Sequence, residues 1–197
     1  MGWTSARSRA PKHPTKIGRY MKDVMIDCET LGTTADAVIL SIGAVKFDLE
    51  SGEMDDSGYY ASISIDSNFE LGRRASESTI MWWLQQTPQA QAVFHEPKQP
   101  LDMALRGLVE WLDHDKRRVW SNGADFDIPM LAHAFTQLGI ETPWQFWNSR
   151  CVRTYKSLPA ASAVPPFKND HNALRDAVNQ AVFVQAVYAR MVSKVAA

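Results

Sequence analysis

An α/β domain is what the sequence predicts, with strands at its start and a long helix at its end. Three observations point there. Three hydrophobic runs with strand character fall within the first 65 residues, joined by links that favour an antiparallel meander over strand–helix–strand crossovers. Leu101, Leu105, Leu108 and Leu112 recur at spacings of 4, 3 and 4, the signature of an amphipathic helix. Ala173 to Val192 reads as one long closing helix.

Taken in order, Val24-Met25-Ile26 opens a buried strand that runs out into Asp27-Cys28-Glu29-Thr30. After the polar link Gly32 to Asp36, residues Val38 to Phe47 form the second strand. Asp48 to Gly58, with two glycines and five acids, marks a turn, and Tyr59 to Ile65 alternates as a third strand. Ser76 to Thr79 offers N-caps for a helix over Ile80-Met81-Trp82-Trp83-Leu84, which Pro88 ends or interrupts. Arg118 to Ser121 is a short strand leading into Asn122-Gly123-Ala124-Asp125-Phe126-Asp127. Ile128 to Leu138 is a helix stopped by Gly139. The aromatic stretch Pro143 to Asn148 is expected to include another strand. A helix around Val152–Leu158 and a proline-rich loop from Pro159 to Asp170 precede His171 and the closing helix.

The 197 residues, 45% hydrophobic and 22% charged, suit one soluble domain with a proper core. No apolar run spans a bilayer, and two cysteines (Cys28 and Cys151) make no disulfide framework, so a reducing, cytoplasmic setting is expected. Residues 1–20 lack hydrophobic periodicity and read as a disordered basic arm or an upstream extension of a domain over 21–197. Six Lys or Arg stand among residues 1–23, leaving 15 basic against 21 acidic residues beyond them. That acidic body argues against a protein that coats nucleic acid through a basic surface, though not against an enzyme that grips one strand end through metal ions.

Side chains alternate on a strand, so Asp27 and Glu29 share a face and Cys28 takes the other. Two such carboxylates repel unless a cation lies between them, and hard ions such as Mg²⁺ or Mn²⁺ take oxygen ligands of this kind. Asp127, at a strand-to-helix junction, and Asp176, one turn into the closing helix, are further candidates. Asp125 is the more natural helix cap, and residue patterns alone leave the choice between it and Asp127 open. His171 and Asp176, five residues apart, would diverge by about 140° on a helix. A shared site therefore needs His171 on the preceding loop, with Asn172 as cap. Each piece has a plainer reading as a solvated acid or a loop histidine. Their order and context together are harder to reach by accident.

Asp27-Cys28-Glu29-Thr30-Leu31-Gly32, Ser41-Ile42-Gly43-Ala44-Val45, Asn122…Phe126-Asp127 and His171-(four residues)-Asp176 are similar to the three motifs of the DnaQ-like, DEDDh-type 3′→5′ exonucleases. The resemblance runs from about Met21 to Met191. The helix carrying Ile80-Met81-Trp82-Trp83 and Gln86 resembles the Rv2179c-like or DexA-like exoribonuclease branch. This resemblance implies a ribonuclease H-like fold, with a mixed five-stranded sheet whose first three strands are antiparallel, flanked by helices. It selects Asp127 through the family's Phe-Asp pair. The chain departs from the family in having Ser121 before the motif asparagine, and its Asn122-to-Phe126 spacing is one residue longer than in proofreading subunits. Asp125 therefore stays in reserve.

The activity implied is metal-dependent 3′→5′ hydrolysis of single-stranded RNA or DNA from a free 3′ end, releasing nucleoside 5′-monophosphates. Asp27, Glu29, Asp127 and Asp176 would hold two divalent ions, Mg²⁺ or Mn²⁺, and His171 would take the proton of the attacking water. Backbone at Cys28 and Thr30 would meet the terminal sugar, and Leu31 would pack on the base. Asn122 and Phe126 belong to the same substrate-binding motifs. Trp82, rather than Trp83, is expected to stack on a base. A homodimer is expected from the family. Two other classes compete: a catalytically silent nucleic-acid-binding or scaffold module of the same fold, and a phosphoesterase of small nucleotides.

Overall fold

In the computed structural model, which describes residues 21–113 and 116–195, five strands form one sheet in the order β3-β2-β1-β4-β5. β1 (Asp23–Thr30), β2 (Ile39–Phe47) and β3 (Tyr59–Ser62) are antiparallel neighbours. β4 (Arg118–Ser121) and β5 (Ser149–Cys151) run parallel to β1 and to each other. This is the mixed sheet expected, with helices on both faces. The arm expected over residues 1–20 lies outside the described residues. No described helix is long and apolar enough to cross a membrane.

β1 is central because it is apolar on both sides. Val24, Ile26 and Cys28 pack with α4 (Leu101–Leu112) and α5 (Asp127–Gln137). Met25 faces the other way, onto Ala177, Ala181 and Val184 of α7 (Ala173–Val195). Alternation therefore delivers Asp27 and Glu29 to the α7 side. Gly43 of β2, the register partner of Asp27, sets how close α7 comes. A Cβ there would fall 2.1 Å from the backbone carbon of Ala173, so any side chain would push the start of α7, and Asp176 with it, off the sheet.

Five segments differ from expectation. The third strand stops at Ser62 because the Ser64 hydroxyl accepts the amide of Ser67 and caps α1 (Ile65–Glu70), converting an alternating run into a helix start. Pro88 does not end α2 (Glu77–Trp83); it opens α3 (Pro88–Gln91) at a first-turn position, where its missing N–H costs nothing. The aromatic stretch before residue 149 is a short 3₁₀ turn over Phe146–Asn148, and the strand follows as β5. α6 (Val152–Lys156) is shorter than the helix expected to Leu158, and α7 continues past Val192.

Candidate active site

β1 ends where α2, α5 and α7 meet, and the four acidic positions come together there. Asp27 lies half-buried at the sheet end, and its Oδ1 accepts a 2.8 Å hydrogen bond from Gln180 Nε2. Asp127 opens α5 and is buried, its Oδ1 accepting the Cys28 amide at 3.1 Å across the β1–α5 junction. Asp176 is buried in the first turn of α7. Its two oxygens accept the amides of Asp170 and His171 at 2.8 and 3.0 Å, so its carboxylate fixes the loop before the helix. Asn172 caps α7, its Oδ1 accepting the Arg175 amide at 3.0 Å.

His171 sits outside the helix with a left-handed φ of 55°, a conformation that a non-glycine residue holds only when its surroundings impose it. A ring nitrogen of His171 and carboxylate oxygens of Glu29 and Asp176 all lie within 4.8 Å of one another. Trp82 meets the His171 ring edge-on at 4.9 Å between centroids, and Trp83 does so at 5.9 Å.

The electrostatics are those of an anionic cluster short of cations. Burial holds Asp27 well above the usual carboxylate range, and the charges of Asp127 and Glu29 push it further. Glu29 is raised to about 8, by burial first and then by Asp176 and Asp127. Asp127 rises to about 7 through burial, opposed in part by the Cys28 amide, and burial also raises Asp176. Among the described residues no Lys or Arg forms an ion pair with any of the four. Hard oxygen donors crowded this way, each holding its proton more tightly than a free carboxyl because of burial and repulsion, fit Mg²⁺ or Mn²⁺, which would displace those protons on binding.

Beside the carboxylates is a cleft of about 310 Å³ whose walls include Cys28, Glu29, Thr30, Ser78, Trp82 and Phe126. Trp82 is 41% exposed, while Trp83 is buried with its indole N–H donated to the Thr30 carbonyl at 2.8 Å. Leu31 is not on the cleft wall; it is buried with Val38, Leu40 and Trp83. Asn122 is also away from the wall, with its Oδ1 3.5 Å from Lys156 Nζ. Asp125, held in reserve, points to solvent and meets Arg153 at 3.8 Å. The longer spacing after Asn122 thus leaves Asp127 inside and Asp125 out. Gln180 was not foreseen. Its signal is a polar residue one turn after Asp176, on the face that packs against β1.

Comparisons with known proteins agree with this geometry. A model of the Rv2179c-like 3′-5′ exoribonuclease domain matches residues 22–188. An exodeoxyribonuclease of Enterobacteria phage T4 is 26% identical over 160 residues, 68% of this chain and 70% of that protein. The nuclease domain of 3′hExo, a DEDDh family member solved bound to rAMP, superposes with a TM-score of 0.57 at 13% identity, covering 90% of this chain and 94% of that one. A full-length 3′-exonuclease gives a TM-score of 0.51 at 13% identity over 89% and 84% of the two chains. At such identities the solved structures speak for the fold; the match over residues 22–188 assigns the chain to the Rv2179c-like 3′-5′ exoribonuclease family, and the protein is a 3′-5′ exonuclease.

Proposed function

We propose that the protein removes nucleoside 5′-monophosphates from the 3′ end of single-stranded RNA, with two divalent ions held by Asp27, Glu29, Asp127 and Asp176. The convergence of four cation-poor carboxylates on one end of β1, with a His171 ring nitrogen inside the cluster, carries this reading. When bound, the ions supply Lewis acidity that lowers the pKa of water and neutralises charge on the phosphate.

The chain's own groups supply the rest. His171, fixed on its loop by the Asp176 carboxylate, takes a proton from the attacking water as general base. Cys28 and Thr30 backbone, Phe126 and the exposed face of Trp82 enclose the terminal nucleotide in the cleft. Stacking on Trp82 would be indifferent to sequence. RNA is favoured because the matching family is described as exoribonucleases, although the phage relative is an exodeoxyribonuclease.

Digestion of matched 5′-labelled single-stranded RNA and DNA, with Mg²⁺, Mn²⁺ or EDTA, tests the proposal. A metal-dependent ladder shortening from the 3′ end, faster on RNA and lost in His171→Ala, is expected. Faster loss of DNA would reverse the substrate assignment. Full activity in His171→Ala would remove the histidine from the chemistry.

A further inference from the structure

Charge is distributed unevenly along this chain. Residues 24–141 carry eight Lys or Arg against nineteen Asp or Glu, whereas residues 142–169 carry Arg150, Arg153, Lys156 and Lys168 and no acid. The acid-free segment comprises β5, α6 and their flanks, and two side chains of α6 reach the loop that leads to Asp127. Arg153 lays its guanidinium on Gly123, where an added Cβ would come within 2.8 Å of Arg153 Cζ. Lys156 Nζ stands 3.5 Å from Asn122 Oδ1. Phe126, at the end of the same loop, forms a wall of the cleft.

Two cations one helical turn apart therefore rest on the outer side of the loop whose inner end lines the site. The acid that pairs with Arg153 is Asp125, and that 3.8 Å pair is exposed on both sides, a weak contact that a phosphate can displace. Just before β5, Phe146 and Trp147 are 82% and 61% exposed, with ring centroids 4.8 Å apart. Arg150 donates to the Trp147 carbonyl beside them. Exposed aromatics before the three-residue strand β5 and cations on α6 after it, with Arg150 between them, are the elements of a single-strand platform: π-faces for bases and charges for the backbone. A polyanion approaching an acidic cleft needs such an approach, and the rest of the body is acidic.

We infer that the β5–α6 face is the track for the strand upstream of the terminal nucleotide, with Arg153 and Lys156 on its phosphates and Phe146 and Trp147 on its bases. This rests on the exonuclease reading of the cleft and extends it to the substrate's longer part. It makes the enzyme one that prefers oligonucleotides to dinucleotides.

The test compares wild type, Arg153→Glu/Lys156→Glu and Phe146→Ala/Trp147→Ala on a long single-stranded oligonucleotide and on a dinucleotide, at several salt concentrations. In the charge variant, kcat/KM for the oligonucleotide relative to the dinucleotide should fall about ten-fold or more through KM. The slope of log affinity against log salt should flatten by about 1.4, the value for two lost single-strand phosphate contacts. The aromatic variant should bind the oligonucleotide roughly ten-fold more weakly with its salt slope retained. An unchanged ratio and slope in the charge variant, or an equal loss on both substrates, would overturn the track. Failure of wild type to digest either substrate would instead sink the exonuclease reading itself.

Discussion

Asp23 and Asp27 lie four residues apart on the same face of β1, and the fold treats them in opposite ways. Asp23 is fully buried and saturated with donors. Arg118 reaches both its oxygens at 2.7 and 2.5 Å, the Trp120 indole N–H donates at 2.7 Å, and the Leu49 amide at 3.3 Å. Asp27 has Gln180 and, around it, three more carboxylates. A buried acid that serves the fold is neutralised by the fold. One left short of donors among its own kind is kept for something from outside.

Exchanging the two acids should separate these roles most sharply. Asp27→Asn should lose activity by at least about a thousand-fold, since the ions' contribution is worth several kcal/mol. Its metal-free stability should hold or rise, because a repelled charge is gone. Asp23→Ala should do the reverse, costing about 3 kcal/mol by leaving Arg118 unpaired, with much of the specific activity of the folded fraction retained. Thermal melts beside activity assays read both. A large stability loss in Asp27→Asn would erase the contrast.

pH sharpens it further. Glu29 and Asp127 titrate near 8 and 7 when folded, above their ordinary values of 4.5 and 3.8, so the folded state holds the extra protons. Stability from these groups is complete below about pH 4 and is lost as pH climbs through 7 to 8. In EDTA the melting temperature should therefore fall by several degrees between pH 6 and 8.5. Mn²⁺ or Mg²⁺ should restore it most at the alkaline end, because binding displaces those protons. A pH-independent melting temperature in EDTA would contradict the picture of a strained, metal-free cluster.

The smallest effect belongs to Gln180. Its side chain is fully buried, its Nε2 holds Asp27, and its Oε1 has no partner among the described residues. Gln180→Met keeps the volume and removes both polar atoms. Metal affinity measured by titration should weaken by about 10- to 100-fold, as for other residues that orient a ligand, with metal-free stability unchanged or higher. A loss of stability alone would make Gln180 a packing residue.

Much of this was legible in advance where one local pattern dominated. Strand alternation put Asp27 and Glu29 together, the leucine spacing drew α4, and the angular offset from Asp176 placed His171 on a loop. What stayed hidden depended on partners distant in sequence or on a local competitor. Ile63 and Ile65 continue the alternation of β3, yet the Ser64 hydroxyl wins residue 65 for a helix. Phe146 and Trp147 have strand propensity but face solvent, so the strand begins after them. Asp125 and Asp127 differ only in burial, which is a property of the whole fold.

The central claim is that β1 ends in a metal site rather than in an acidic surface. Calorimetric titration of Mn²⁺ into the metal-free protein at pH 8, beside Asp27→Asn, tests it most directly. The account predicts more than one ion bound by wild type with proton release, and loss of at least one in Asp27→Asn. No binding by wild type, or the same binding in both proteins, would contradict it.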